Sequence, residues 1–223
     1  MTAFLHNFVN PEVLQVALPL ILEGMRVTLL LTASILPTGI LAGLALSVLR
    51  TRQSRFLNFF IVVFADVFRA VPPLVILILI FFALPYLGVQ LSGFAAAWLG
   101  LSLVLAAFSE EIFWAALTSV PRGQWEASRA TGLGATATLR RVIFPQAIRL
   151  AIPPLTNRAI AIGKGTALAS VIAVPEILNH ATNVQAQTAN PSPLTLAALA
   201  YLALFLPLVV ASRWVESRFR WKR

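Results

Sequence analysis

The chain has 223 residues, of which 59% are hydrophobic and 11% charged, with a formal net charge of +9 and a mean hydropathy of +0.86. A water-soluble domain of that length cannot hide so much apolar surface, which excludes a soluble fold. The basic residues flank apolar blocks instead of tiling a groove interleaved with exposed aromatics, which excludes a nucleic-acid binder; without cysteine there is no disulfide or thiolate chemistry to consider.

Met1 to Pro11 lacks the basic region and short apolar core of a cleaved signal peptide, so the first helix is expected to be its own insertion signal. The first apolar block runs from about Val16 to Leu49 and is interrupted by Pro19, Pro37 and the polar group Glu23, Gly24, Arg26. Its length predicts a short interfacial helix followed by a span over about 22–49. A second block, 56–87, is expected to break at Arg69-Ala70-Val71-Pro72-Pro73, because two prolines remove backbone donors and disfavour helix in the residue before them. Within a bilayer such a break must face protein or water. The third, fourth and fifth spans are expected over 94–120, 152–174 and 194–213, and the polar stretch 121–149 between the third and fourth cannot span.

Short loops rich in arginine and lysine stay cytoplasmic. Arg50, Arg52 and Arg55 follow the first span, Arg122, Arg129, Arg140, Arg141 and Arg149 lie in the middle loop, and Arg213, Arg218, Arg220, Lys222 and Arg223 end the chain. The opposite segments, Met1 to Gln15, Pro85 to Gly93 and Pro175 to Pro193, carry no lysine or arginine. The pattern predicts an all-α integral membrane protein of five transmembrane helices, N-terminus periplasmic and C-terminus cytoplasmic, forming a single transmembrane domain over 1–223.

The middle loop reads as two helical pieces and a hinge. Trp125 to Thr131 follows a Pro-Arg-Gly turn, Gly132 and Gly134 supply a left-handed stop, and Leu139 to Phe144 begins a second piece that Pro145 ends or kinks. Short helices beneath a membrane domain suit the docking of another protein, and equally a connection lying on the headgroups.

In this loop Glu126-Ala127-Ser128, Gly132 and Val142-Ile143-Phe144-Pro145 resemble, at unbroken spacing, the EAA signature of ABC importer permeases. The resemblance narrows to the polar amino-acid branch, the histidine, arginine and glutamine type, through four further stretches. Glu23 to Leu29 is similar to its opening, a glycine followed by Thr-Leu. Phe68-Arg69-Ala70-Val71-Pro72-Pro73-Leu74-Val75 is similar to its Phe-Arg-Gly-Thr-Pro-Leu-Leu-Val. Ala107 to Ile112 resembles its Ala-Tyr-x-Ala-Glu-Ile, and Lys164 to Ile172 its Lys-Asp-Thr-Ser-Leu-Ala-Ser-Val-Ile. Departures stand at Trp114-Ala115, where the branch has Arg-Gly, and at Gly165, where it has aspartate.

The resemblance implies a type I importer permease of the bacterial inner membrane. In that reading 121–149 is a cytoplasmic coupling loop, with a coupling helix over roughly Glu126 to Ala137 seated on a dimeric ABC ATPase. Gln124, Glu126, Ala127, Ser128, Gly132 and Pro145 are the implied coupling residues. Further implied partners are a second permease subunit, identical or a paralogue, a periplasmic solute-binding protein and membrane lipid, with no nucleic acid. The resemblance further implies no cofactor or catalytic residue in the chain itself, with ATP and Mg on the partner ATPase. The implied cargo is a polar amino acid or a derivative; the alternative is an amino-acid conjugate of the opine kind or another small polar solute.

Ionisable groups inside a bilayer cost at least a few kcal/mol each and are the default site candidates. Glu110 and Glu111 stand about 100° apart on one helix, so one is expected to line the pathway while the other packs. Glu111, which aligns with the branch's glutamate, either receives a substrate ammonium or guanidinium or forms a structural ion pair with Arg69 or Lys164. Asp66 and Arg69, three residues apart, are expected to pair beside the Pro72-Pro73 break. Ser109 and Ser102 are weaker candidates. Trp114, Lys164 and Thr166 complete the set, Lys164 pairing a substrate carboxylate or closing a gate with Glu111, while Arg158 is expected to snorkel to the cytoplasmic face.

Gly163-Lys164-Gly165-Thr166 lacks the order of a P-loop. His6 and His180 stand far apart without cysteine companions, which argues against a metal site. A secondary transporter would call for an internal inverted repeat, which is not evident, and a membrane enzyme for a convergent acid, base or metal set.

Overall fold

The computed structural model describes residues 7–52 and 54–219 and is helical throughout, with no strand among them. The basic Arg220, Lys222 and Arg223 lie outside the described residues, as do the N-terminal stretch through His6 and Gln53.

Helix α1 runs without interruption over Pro11–Arg50. Asn10 starts it, its Oδ1 accepting from the amides of Glu12 at 3.0 Å and Val13 at 3.4 Å, and Pro11 occupies a first-turn position where no amide is needed. The expected division into an interfacial helix and a separate span does not occur. Pro19 and Pro37 stay inside the helix, because α1 is clamped along its length by neighbouring helices, the condition under which membrane helices tolerate proline. The clamp is tightest at two glycines. A Cβ on Gly39 would lie 2.6 Å from the Leu105 Cβ, and one on Gly43 would lie 2.5 Å from the Ser109 Cβ, so the α1 backbone nearly touches the next long helix.

Helix α2, Arg55–Ala70, ends where Val71 and Pro72 become extended, and α3 resumes at Pro73–Ile78. The chain then passes through a π turn, Leu79–Ala83, and a 3-10 turn, Leu84–Leu87. The two arms cross at 104°. The double proline breaks the chain as expected, and the result is a sharp elbow in place of a straight span over 56–87.

Helix α4, Gly93–Ser119, is the centre of the molecule. Around its Leu101, Val104 and Leu105 gather Leu31 and Ile35 of α1, Ile76 and Leu77 of α3 and Ile162 of a later helix, all buried. Apolar contact with neighbours covers most of α4, and the face left open carries Phe108, Glu111, Ile112 and Ala115.

The loop after α4 forms helix α5, Arg122–Ala130, and then turns at Gly132, whose φ of +87° is left-handed. Gly134 departs from expectation: its φ is −66°, and it caps the following turn in extended conformation. A coupling helix continuous over Glu126 to Ala137 is therefore not formed, because the left-handed Gly132 separates α5 from α6, Ala135–Thr138. Pro145 likewise fails to end the helix. A π turn over Leu139–Ile143 carries α6 directly into α7, Phe144–Gly165, with the Phe144 amide donating to the Leu139 carbonyl, so the widened turn accommodates the proline that follows. Pro153 and Pro154 lie within α7 without ending it.

A 3-10 segment, Thr166–Ile172, follows α7. Helix α8, Ile177–Thr188, is capped by Glu176, whose carboxylate accepts from the Asn179 amide at 2.8 Å. Helix α9, Ser192–Phe219, closes the described chain. By length and hydropathy α1, α4 and residues 192–214 of α9 can each cross a membrane; two bent pairs, α2 with α3 and α6–α7 with α8, bring the possible number to five.

Candidate functional site

Three adjoining cavities form one groove along α4 and α7. The first, about 330 Å³, is lined by Phe68 and Arg69 at the end of α2, by the Pro72–Pro73 elbow, and by Phe108 and Arg158. The second, about 550 Å³, shares Arg69, Phe108 and Arg158 with the first and adds Glu111, Pro154 and Asn157. The third, about 470 Å³, continues from Glu111 and Pro154 to Ser119 and Leu150. The elbow thus does more than interrupt a helix: it turns the α2 terminus, with Arg69, toward the groove.

The two adjacent glutamates separate sharply. Glu110 is fully buried, and its Oε1 accepts from Arg50 Nη1 at 3.0 Å. The Arg50 guanidinium also lies 4.3 Å from the centre of the Trp114 ring, so Trp114 serves this tie between α1 and α4. Glu111 keeps 43% of its side chain exposed, lines the groove and sits 3.3 Å from Arg69, which also reaches Asp66 at 3.7 Å. Of the sequence candidates, Arg69 and Glu111 come together in the groove. Ser109 is buried against Gly43 with no partner for its hydroxyl. Thr166 is buried and donates to the Gly163 carbonyl at 2.7 Å. Lys164 is exposed and forms no ion pair among the described residues, with Glu111 or any other carboxylate.

Arg158, expected to snorkel to the cytoplasmic face, lays its guanidinium 3.5 Å from the centre of the Phe108 ring and lines the first two cavities. Phe108 and Arg158 are among the groove residues that the sequence does not mark as site candidates, together with Pro154 and Asn157. The signal was present in the spacing: Phe108 and Glu111 are three apart on α4, and Pro154, Arg158 and Ala161 recur at helical spacing on α7, so each set occupies one face.

The loop has its own anchoring. Ser128 is buried, donates to the Trp125 carbonyl at 2.9 Å and lies 3.3 Å from the Thr138 hydroxyl. Trp125 packs on a cluster that includes Leu117, Ile143 and Ala147, and Gln124 Oε1 accepts from Gln146 Nε2 at 3.3 Å. Glu126, Ala127, Gly132 and Pro145 are exposed. One face of α5 is held down and the other is presented outward.

Residues 35–221 match the family described as the binding-protein-dependent transport system inner membrane component. The chain belongs to this family. It is accordingly a multi-pass permease subunit of the bacterial inner membrane in an ABC transport system. Among similar proteins, the probable amino-acid ABC transporter permease protein YckA of Bacillus subtilis is 39% identical, over 73% of this chain and 72% of its own. The probable glutamine ABC transporter permease protein GlnP of Bacillus subtilis is 36% identical, over 88% and 92%. The arginine ABC transporter permease protein ArtQ of Haemophilus influenzae is 31% identical, over 89% and 94%. A crystal structure of an amino acid ABC transporter with histidines superposes with a TM-score of 0.83 at 30% identity, covering 90% of this permease and 94% of that chain. The inward-facing MetNI methionine ABC transporter, at 20% identity and a TM-score of 0.73, shares the fold over 92% of this chain and 98% of its own.

Proposed function

We propose that this permease forms the pathway of an ATP-driven importer for polar amino acids or their derivatives. The observation that carries the proposal is the loop: α5 is pinned through Ser128, Trp125 and Gln124 while Glu126 and Ala127 stand exposed beside the left-handed Gly132. A rigid, outward-facing helix end is what docking to a motor protein requires. The amino-acid cargo named for the relatives, and the groove bearing both signs of charge, support the substrate class.

In this reading each bent pair is one crossing, giving five spans, and the arginine-rich segments put the N-terminus outside and the C-terminus inside. A second permease subunit faces the groove across the complex. A periplasmic binding protein delivers the solute, and two cytoplasmic ATPases, holding ATP and Mg, close beneath the α5 loops of the two subunits. Closure shifts the pair of permeases from inward-open to outward-open, and hydrolysis returns it; the permease contributes a bistable scaffold, ATP the differential binding that moves it. Arg69 and Glu111 face the passing solute, and Gln124, Glu126, Ala127, Ser128, Gly132 and Pro145 belong to the docking loop.

Co-expression with the cognate ATPase and binding protein tests the proposal. The purified permease is expected to retain the ATPase, and ATP hydrolysis in liposomes to rise with loaded binding protein. Failure to retain the ATPase with the loop intact, together with unchanged uptake in Gly132→Asp cells, would overturn it.

A further inference from the structure

We infer that Arg158 reads a carboxylate, and that the groove selects amino-acid-like solutes carrying more carboxylate than ammonium, such as acidic amino acids or conjugates bearing a second carboxylate. This rests on the reading of the groove as the solute pathway. The ionisable side chains lining the first two cavities are Arg69, Arg158 and Glu111, two cations against one anion. They are not equivalent. Glu111 is already engaged by Arg69 at 3.3 Å, and Arg69 has a second carboxylate in Asp66 at 3.7 Å. Arg158 has no carboxylate within ion-pair distance among the described residues; its contact is the Phe108 ring, 3.5 Å away.

A guanidinium within a membrane domain is costly unless it finds an anion or water, and such groups mark solute paths. Stacking on Phe108 covers one face of the guanidinium and leaves its N–H edge free, and that edge matches a carboxylate through two parallel hydrogen bonds. For Glu111 to receive a substrate ammonium it must first release Arg69, which would fall back on the longer contact to the exposed Asp66. A carboxylate arriving at Arg158 displaces no existing pair. The residual positive charge of the lining is then neutralised by a solute whose net charge is negative, and less completely by a zwitterion or a cation. Phe108, Pro154 and Ala161 put apolar surface beside Arg158, with Asn157 as a neutral polar neighbour, and the apolar part strengthens that charge discrimination.

The test is direct binding to the purified permease–ATPase complex without binding protein, read by competition among glutamate, glutamine and arginine. Glutamate is expected to compete at least about tenfold better than arginine. Arg158→Gln should abolish that preference, Arg158→Lys should keep part of it, and Arg158→Glu should invert it toward arginine, a result that mere loss of packing does not produce. Equal binding of the three probes by the wild-type complex, an unchanged order in Arg158→Glu, or absence of binding by any probe to a complex whose ATP hydrolysis responds to loaded binding protein would each overturn the inference while leaving the importer reading intact. Absence of any response to binding protein would sink the importer reading, and the inference with it.

Discussion

Arg50, the last residue of α1, and Glu110, in the second half of α4, are joined at 3.0 Å across 60 residues of sequence, with the glutamate wholly buried and the arginine 17% exposed. The pair fixes the end of the longest described helix to the central one, next to glycines that already bring the two backbones together. Removing one partner leaves a buried charge unanswered. Arg50→Ala is therefore expected to destabilise the permease by about 3 kcal/mol or more. Arg50→Leu with Glu110→Leu should recover most of that loss. Thermal unfolding of the detergent-solubilised complex measures both, and a double variant no better than the single one would contradict the pairing.

Close approach of α1 and α4 depends on Gly43. Its replacement by alanine puts a methyl 2.5 Å from the Ser109 Cβ and 2.6 Å from the Ala106 carbonyl oxygen. The helices must separate, at a cost of about 1–3 kcal/mol. Gly123→Ala, at a position with nothing within 4 Å, is the matched control and should unfold at the wild-type temperature.

Two glycines of the loop are expected to behave differently. Gly132, at φ +87°, resists any side chain by about 1–2 kcal/mol, whereas Gly134, at φ −66° and with open space around it, should accept alanine. Gly132→Ala should lower the binding-protein-stimulated ATP hydrolysis of the reconstituted complex; Gly134→Ala should not. Equal effects would show that the left-handed turn is unimportant to the loop.

On the opposite side of the fold, Tyr201 of α9 donates its hydroxyl to Glu176, the buried residue that caps α8. Tyr201→Phe withdraws a hydrogen bond to a buried carboxyl group and should destabilise by about 1.5–3 kcal/mol. Glu176→Gln keeps an acceptor oxygen for the Asn179 amide and turns an NH2 toward the Tyr201 oxygen, which can accept from it, so the contact is reversed and not lost and this should be the milder change. Comparison of their unfolding midpoints distinguishes the two.

Much of this architecture is legible in the sequence, and the exceptions share a cause. Hydropathy reveals α1, α4 and α9 because each carries its own run of apolar residues. The Pro72–Pro73 break is legible because two consecutive prolines act locally, through missing amides and steric conflict with Val71. Pro19, Pro37 and Pro145 mislead by the same local logic, since tertiary clamping and a π turn absorb them. At the site, the separate fates of Glu110 and Glu111 follow from the helical angle between them, but the identity of Glu110's partner does not: Arg50 reads as one of several orienting charges at a span end until α1 is laid against α4. Arg158 is obscured for a related reason, because nothing in its own neighbourhood announces Phe108 on a different helix.

The helix that continues from Ala135 through the π turn to Gly165 unites two places that the sequence treats separately. Its 1.5 Å rise per residue gives it a length of about 45 Å. At one end stands the exposed turn that follows Gly132; toward the other, Arg158 and Ala161 face the groove. On the proposed reading such an element would act as a lever: a small tilt imposed at the loop would move the groove wall in proportion to its distance from the pivot. The guanidinium at Arg158 would then ride on the same helix as the proposed docking end, and its distance from Glu111 across the groove would vary with the state of the motor.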